Sequence, residues 1–269
     1  RPTARRLAAG AAGGLLLAPA VGGREPKRQA LWTNVLFGAL VVVVAGSLVG
    51  ELLGVQGALE KVWFWVGHQG WEYLDLGRAW QILLAGGLVV WLILIFRAIA
   101  PARKSAQEGE ISSLFLYAAA AIPLFYLPAM FFDSNTNFTI VDTWRFWIIH
   151  LWVEGFFELF VTVMVAMIFY KLGLVGRETA LRVVYLDAIL YLGSGIIGTG
   201  HHWYWTGQSS ITMALAAVFS AMEVVPLTLL TLDAADFVKL SRSQCDVCGQ
   251  RVSIPHRWTF YFLMAVGFW

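Results

Sequence analysis

Apolar residues run through this chain in long blocks, and short stretches between the blocks hold most of its charge. A bilayer's hydrocarbon core of ~30 Å is crossed by ~20 predominantly apolar residues in a helix. Blocks of that kind fall at Leu31–Leu53, Ala79–Ile99, Ser113–Phe132, Trp144–Tyr170, Val183–Gly200 and Ile211–Phe237. A seventh starts at Trp258, and a weaker Ala/Gly-rich run covers Leu7–Val21. The pattern predicts an all-α, polytopic transmembrane helical bundle. Its organisation reads as the end of an upstream span plus a loop over 1–30, six transmembrane helices over 31–257, and the start of another span over 258–269. The chain opens on RPTARRLAAG and closes on AVGFW within an apolar run, so it reads as a piece of a longer protein, truncated at both ends.

Charge orients these helices. Arg24, Lys27 and Arg28 precede the first strong block, and alternate connections then carry Arg97, Arg103 and Lys104; Lys171, Arg177 and Arg182; and Lys239, Arg242, Arg251 and Arg257. The opposite side holds Lys61, Arg78 and Arg145, so the bias is thirteen against three. Basic loops stay in the cytoplasm, which puts Trp144 and Ser210 at the outer face of the membrane. Composition agrees: 59% of residues are hydrophobic and 13% charged, against about a quarter charged in soluble domains. A net charge of +2 and the absence of any nucleic-acid motif exclude nucleic acid as a partner; the lipid bilayer is the partner. Cys245 and Cys248 in CDVCGQ fall on the cytoplasmic side, where a structural disulfide is disfavoured. With His256 as the one further donor nearby, a four-ligand zinc site is incomplete, and free thiols are the simpler reading.

Against this background a few polar groups stand out. HLWVEGFFELF places His150 and Glu154 at i, i+4 on one helix face, with Glu158 a turn further on. GTGHHWYWTGQ sets His201 beside His202 where glycines loosen the fifth helix, and AMEVVP puts Glu223 in apolar sequence before Pro226. At 1.5 Å per residue, His150 lies ~9 Å and Glu154 ~15 Å in from the outer side, and Glu223 ~20 Å in. Three histidines and one carboxylate can therefore converge in the outer half of the membrane, nearer the outer face. A lone intramembrane His or Glu can be a packing hydrogen bond, but ionisable groups at membrane depth usually mark an ion path or a site. Three imidazoles and a carboxylate suit iron, copper or zinc, the oxygen ligand tilting the choice toward iron. On the outer side, WVGHQGWEYLDLGRAWQ reads as an interfacial turn with Trp63, Trp65, Trp71 and Trp80 as belt residues. Its acids Glu72 and Asp75, at i, i+3, could also hold a hard cation such as calcium, while His68 reads as an interfacial residue.

Taken together, HLWVEGFFE, GTGHHWYW, FSAMEVVP and GHQGWEYLDLGR resemble the catalytic subunit of the bacterial nitric oxide reductases, in the haem–copper oxidase superfamily. The resemblance runs from about Gly22 to the last residue. GREPK, LFLYAAAAIPLFYLPAMFF and HRWTFYFLMAVGFW resemble the single-chain, quinol-oxidising branch. It implies a haem iron facing a non-haem iron, with His150, His201, His202 and Glu154 as ligands of the latter. It implies that Glu158 and Glu223 deliver or stage protons, and that Glu72 helps hold calcium near the haem propionates. Asp75 stands where the family usually has Glu. The substrate implied is nitric oxide and the electron donor quinol, or else a cytochrome c subunit. Two haems b are implied, with axial ligands outside this chain. In the oxygen-reducing relatives the corresponding histidine is followed by Pro and, four residues on, by a cross-linking Tyr; here Leu151 and Glu154 occupy those places. Two alternatives remain open from sequence: an oxygen reductase of the same superfamily, and a non-enzymatic metal-ion or proton transporter.

Overall fold

The computed structural model describes residues 27–71, 74–100, 102–104, 109–171, 175–241 and 257–268. Most of the described residues are helical, with no strand among them. The chain divides into two compact units, Arg1–Phe157 and Glu158–Trp269.

In the first unit, α1 (Lys27–Val55) packs on α3 (Arg78–Ile99), with the single-turn α2 (Trp63–Val66) against both. α4 (Gly109–Tyr126) follows and runs into a 3-10 turn, Leu127–Met130. α5 (Phe138–Phe146) then continues as a π-helix, Trp147–Phe157, which packs on α4. In the second unit, α6 (Glu158–Lys171) and α7 (Arg177–Gly198) pack together. A 3-10 segment, Thr199–Thr206, leads to α8 (Ser210–Met222), α9 (Val224–Ser241) and α10 (Arg257–Phe268).

Five stretches among the described residues are long and apolar enough to cross a membrane: Arg28–Val55, Arg78–Ile99, Gly109–Met130, Phe138–Tyr170 and Ser210–Leu232. α7 occupies the place of the remaining expected span, and α10 that of the last. α1 shows why water is not their solvent. Leu31, Val35, Val42, Leu48 and Leu52 all stand exposed along it, a surface that lipid accepts and water does not. The protein is a multi-pass, all-α membrane bundle.

Two boundaries differ from the hydropathy pattern for identifiable reasons. The fourth span begins at Phe138, six residues before Trp144, because the Asn137 side chain caps the helix by accepting from the Thr139 N–H. Its first turns carry Thr139, Asp142 and Arg145, too polar for an apolar count to include. The block at Ile211–Phe237 is two helices that meet at Glu223. Pro226 has no N–H to offer the Met222 carbonyl four residues back, so the helical ladder breaks there.

Close approach of α1 to the α2–α3 region depends on two missing side chains. A Cβ on Gly46 would lie 2.3 Å from the Trp80 ring, and one on Gly50 would lie 1.8 Å from the Val66 carbonyl oxygen. Trp80 is held in that position by its indole N–H, which donates to the same Val66 carbonyl at 3.2 Å. It is a packing residue as well as a belt aromatic.

Candidate metal centre

The π-helix positions the first donors. π-helices are rare, usually limited to one widened turn, and often found at functional sites; this one spans eleven residues. Two tryptophans hold it against α4. The Trp152 indole N–H donates to the Ile122 carbonyl at 2.8 Å, and that of Trp147 to the Phe125 carbonyl at 3.2 Å. Phe125 stacks on Trp147 with ring centroids 5.5 Å apart, and Tyr126 tilts against Trp152 at 4.9 Å. His150 sits between these anchors, 1% exposed, with its Nδ1 2.9 Å from Glu154 Oε2. The expected pairing of His150 with Glu154 is present.

In the second unit, α7 tightens after Gly198 into the 3-10 segment that carries His201 and His202. Non-helical backbone at Trp203 and a left-handed Gly207, φ 82°, end that segment, as the glycines in the sequence predict. The two imidazoles bring Nε2 to within 3.0 Å of Nε2, with ring centroids 4.1 Å apart. Adjacent residues seldom aim ring nitrogens at one another without a cation or proton between them. Both rings are half-buried.

The remaining predicted residues take separate places. Glu158 opens α6, and its carboxylate accepts the hydroxyl hydrogen of Tyr191 on α7. The described chain leaves Glu158 exposed and Glu223 half-buried. A fully desolvated acid does exist in this unit, but it is Asp187 on α7, at 0% exposed. Sequence reasoning passed over Asp187 and Tyr191; the signal was an Asp and a Tyr at i, i+4 inside an apolar run, LDAILY. Asp75 lies with its Oδ1 3.4 Å from His68 Nε2. His68 Nδ1 accepts the Gly70 N–H at 2.8 Å, so Nε2 carries the proton and faces the carboxylate. Glu72, Cys245, Cys248, His256 and the run Leu7–Val21 lie outside the described residues.

Another residue missed in sequence is Arg78. It reads as a charge at a helix start, yet it is 6% exposed. Its guanidinium donates to the Ala129 carbonyl at 3.3 Å and to the Phe132 carbonyl, and it lies 5.1 Å and 4.8 Å from the Phe64 and Phe132 ring centres. It thus ties the start of α3 to the 3-10 turn that follows α4, around the core of Leu74, Tyr126, Ala129, Phe132, Val141 and Ile148.

A nitric oxide reductase subunit from Stutzerimonas stutzeri is 29% identical over 176 residues, covering 65% of this chain and 36% of that protein. The chain thus spans about a third of the length of that curated relative. Residues 7–269 match the family described as cytochrome c and quinol oxidase polypeptide I. With nearly the whole sequence matched and an all-α membrane bundle as its fold, the chain belongs to that family, the haem–copper oxidases.

Proposed function

We propose that this chain is part of a membrane-bound oxidoreductase that reduces two NO to N2O and water, with His150, Glu154, His201 and His202 as the ligands of one non-haem iron. The convergence of the His201 and His202 Nε2 atoms to 3.0 Å carries the reading. The His150–Glu154 pair, donor atoms 2.9 Å apart, supplies the same kind of half-site with mixed nitrogen and oxygen character. Three neutral imidazoles and one carboxylate fit a ferrous ion by softness and charge. When bound, the iron would supply Lewis-acid and redox chemistry.

The chain's own residues do the rest. The indole anchors Trp147 and Trp152 keep the π-helix in register, so that His150 and Glu154 stay paired. Glu154, an anion, offsets part of the metal's charge, which a neutral ligand in its place would not. Reduction of two NO to N2O and water consumes two electrons and two protons, so the site requires proton carriers close by. We assign that role to Glu158, which accepts the Tyr191 hydroxyl hydrogen, and to Glu223. Quinol is the proposed electron donor, and the axial ligands of two haems b belong to parts of the protein beyond this chain. Calcium at Glu72 and Asp75 is not built into this mechanism, because Asp75 faces the His68 N–H in the described structure.

That the Stutzerimonas stutzeri relative is a nitric oxide reductase subunit supports NO as substrate, as does Glu154 where the oxygen-reducing relatives carry a cross-linking Tyr. Iron quantitation on the protein from the complete gene tests the ligand set. One iron beyond the haem iron is expected, and it should be lost in His201→Ala with haem retained. Equal non-haem iron in the two proteins would remove His201 from the site; copper in its place would favour oxygen reduction.

A further inference from the structure

Asp187 has no exposed surface, and neither of its carboxyl oxygens has a hydrogen-bond partner. Thr162, buried on α6, lies beside it without meeting hydrogen-bond geometry. An anionic carboxylate here would lose its water with nothing put in its place, whereas a neutral acid carries a smaller penalty. Ionisable groups at membrane depth face the interior and mark ion or proton paths.

Its neighbours define the direction of such a path. Tyr191 is one helical turn further along α7, on the same face, and is 6% exposed. The Tyr191 hydroxyl donates to Glu158 Oε2. Glu158 and Glu223 are both close enough to act electrostatically on Asp187 and Tyr191. Asp187 lies five residues beyond Arg182 and ~15 Å along the helix from Arg177, on the side of the basic loops. Of the three groups Asp187 is therefore nearest the basic loops, with Tyr191 and Glu158 both ~20 Å along their helices from that end.

We propose that Asp187 and Tyr191 form a proton relay that fills Glu158 from the cytoplasmic side of the membrane. The Tyr191 O–H gives its proton to the Glu158 carboxylate while its oxygen takes the proton of the Asp187 carboxyl through one water bridging the helical turn between them. One proton moves from Asp187 to Glu158, Tyr191 is neutral before and after, and no electron moves. Water at the Arg177–Arg182 end then restores the Asp187 proton. Where the proton goes after Glu158 rests on the reductase reading; the relay itself does not.

The test uses the protein from the complete gene, purified with haem, fully reduced, and mixed with NO or O2 beside a pH-indicating dye. Asp187→Asn should slow proton uptake about 100-fold or more, with haem content and the ligand-binding phase unchanged. Tyr191→Phe should act in the same direction, and Asp187→Glu should restore most of the rate. In oriented proteoliposomes the affected uptake should be on the face that carries the basic loops. Wild-type uptake in Asp187→Asn, uptake from the other face, or failure of Asp187→Glu to restore it would overturn the relay. Should Asp187→Asn lose haem, Tyr191→Phe decides: slow uptake supports the relay, and wild-type uptake overturns it. Uptake driven by O2 alone, and still slowed in Asp187→Asn, would uphold the relay while removing NO as the substrate.

Discussion

Replacing Arg78 tests how the first unit holds itself together. The guanidinium makes two hydrogen bonds to carbonyl oxygens, those of Ala129 and Phe132, and sits near two aromatic rings at 5.1 Å and 4.8 Å. Hydrogen bonds to a charged group contribute ~1.5–3 kcal/mol each, and the 3.3 Å bond to Ala129 belongs at the lower end. Each ring contact adds ~0.5–1 kcal/mol. Returning the charge to water offsets part of the loss, since a buried ion carries a large desolvation cost. Arg78→Ala should therefore destabilise the protein by about 3 kcal/mol, leaving two carbonyls in and just after the 3-10 turn behind α4 short of donors. Arg78→Lys keeps the charge but cannot fork to both carbonyls or stack as a plane, so about half the loss is expected. Equilibrium unfolding in mixed micelles would measure both. The order wild type, Lys, Ala is expected; an alanine variant within about 0.5 kcal/mol of wild type, or a lysine variant equal to arginine, would refute the reasoning.

Other consequences are as direct. Trp152→Phe keeps a ring beside Tyr126 but loses the bond to the Ile122 carbonyl, about 1 kcal/mol; it should loosen the His150–Glu154 pair and weaken iron retention, measured by competition with a chelator. Gly46→Ala should cost ~1–3 kcal/mol through the clash with Trp80, while Gly38→Ala, with nothing within 4 Å of the added carbon, should leave the unfolding midpoint unchanged or raised. Glu158→Ala should lower NO turnover about 100-fold with haem spectra intact; unchanged turnover would take Glu158 out of proton delivery.

How far the sequence speaks differs from residue to residue. The spans were legible because lipid imposes one rule, a long apolar run, that no local detail overrides. The candidate donors His150, Glu154, His201 and His202 stood out in the sequence because lipid makes each polar group costly and hence conspicuous. The two pairings, His150 with Glu154 and His201 with His202, follow from spacing alone. The π-helix was not legible: His150 and Glu154 are neighbours at i, i+4 in an α-helix too, so the spacing carries no sign of a widened turn. The widening rests on tertiary hydrogen bonds from Trp147 and Trp152 to α4, and in sequence those tryptophans look like any others. Arg78 was misjudged because an arginine at the start of a span counts equally well as an interfacial charge; only its carbonyl partners, more than fifty residues away, show otherwise. Asp187 was overlooked for the opposite reason. It sits halfway along α7, five residues past Arg182, and a single acid so close to a charged helix start draws no notice until its oxygens prove to have no partner.

NO turnover by membranes that contain the product of the complete gene decides the function most directly. With quinol as donor, NO should disappear as N2O forms, one N2O for each two NO, and His201→Ala should abolish both while haem remains. Intact haem with no NO consumption would contradict the central claim and leave oxygen reduction as the chemistry of this family member. Membranes without haem would point instead to a transporter.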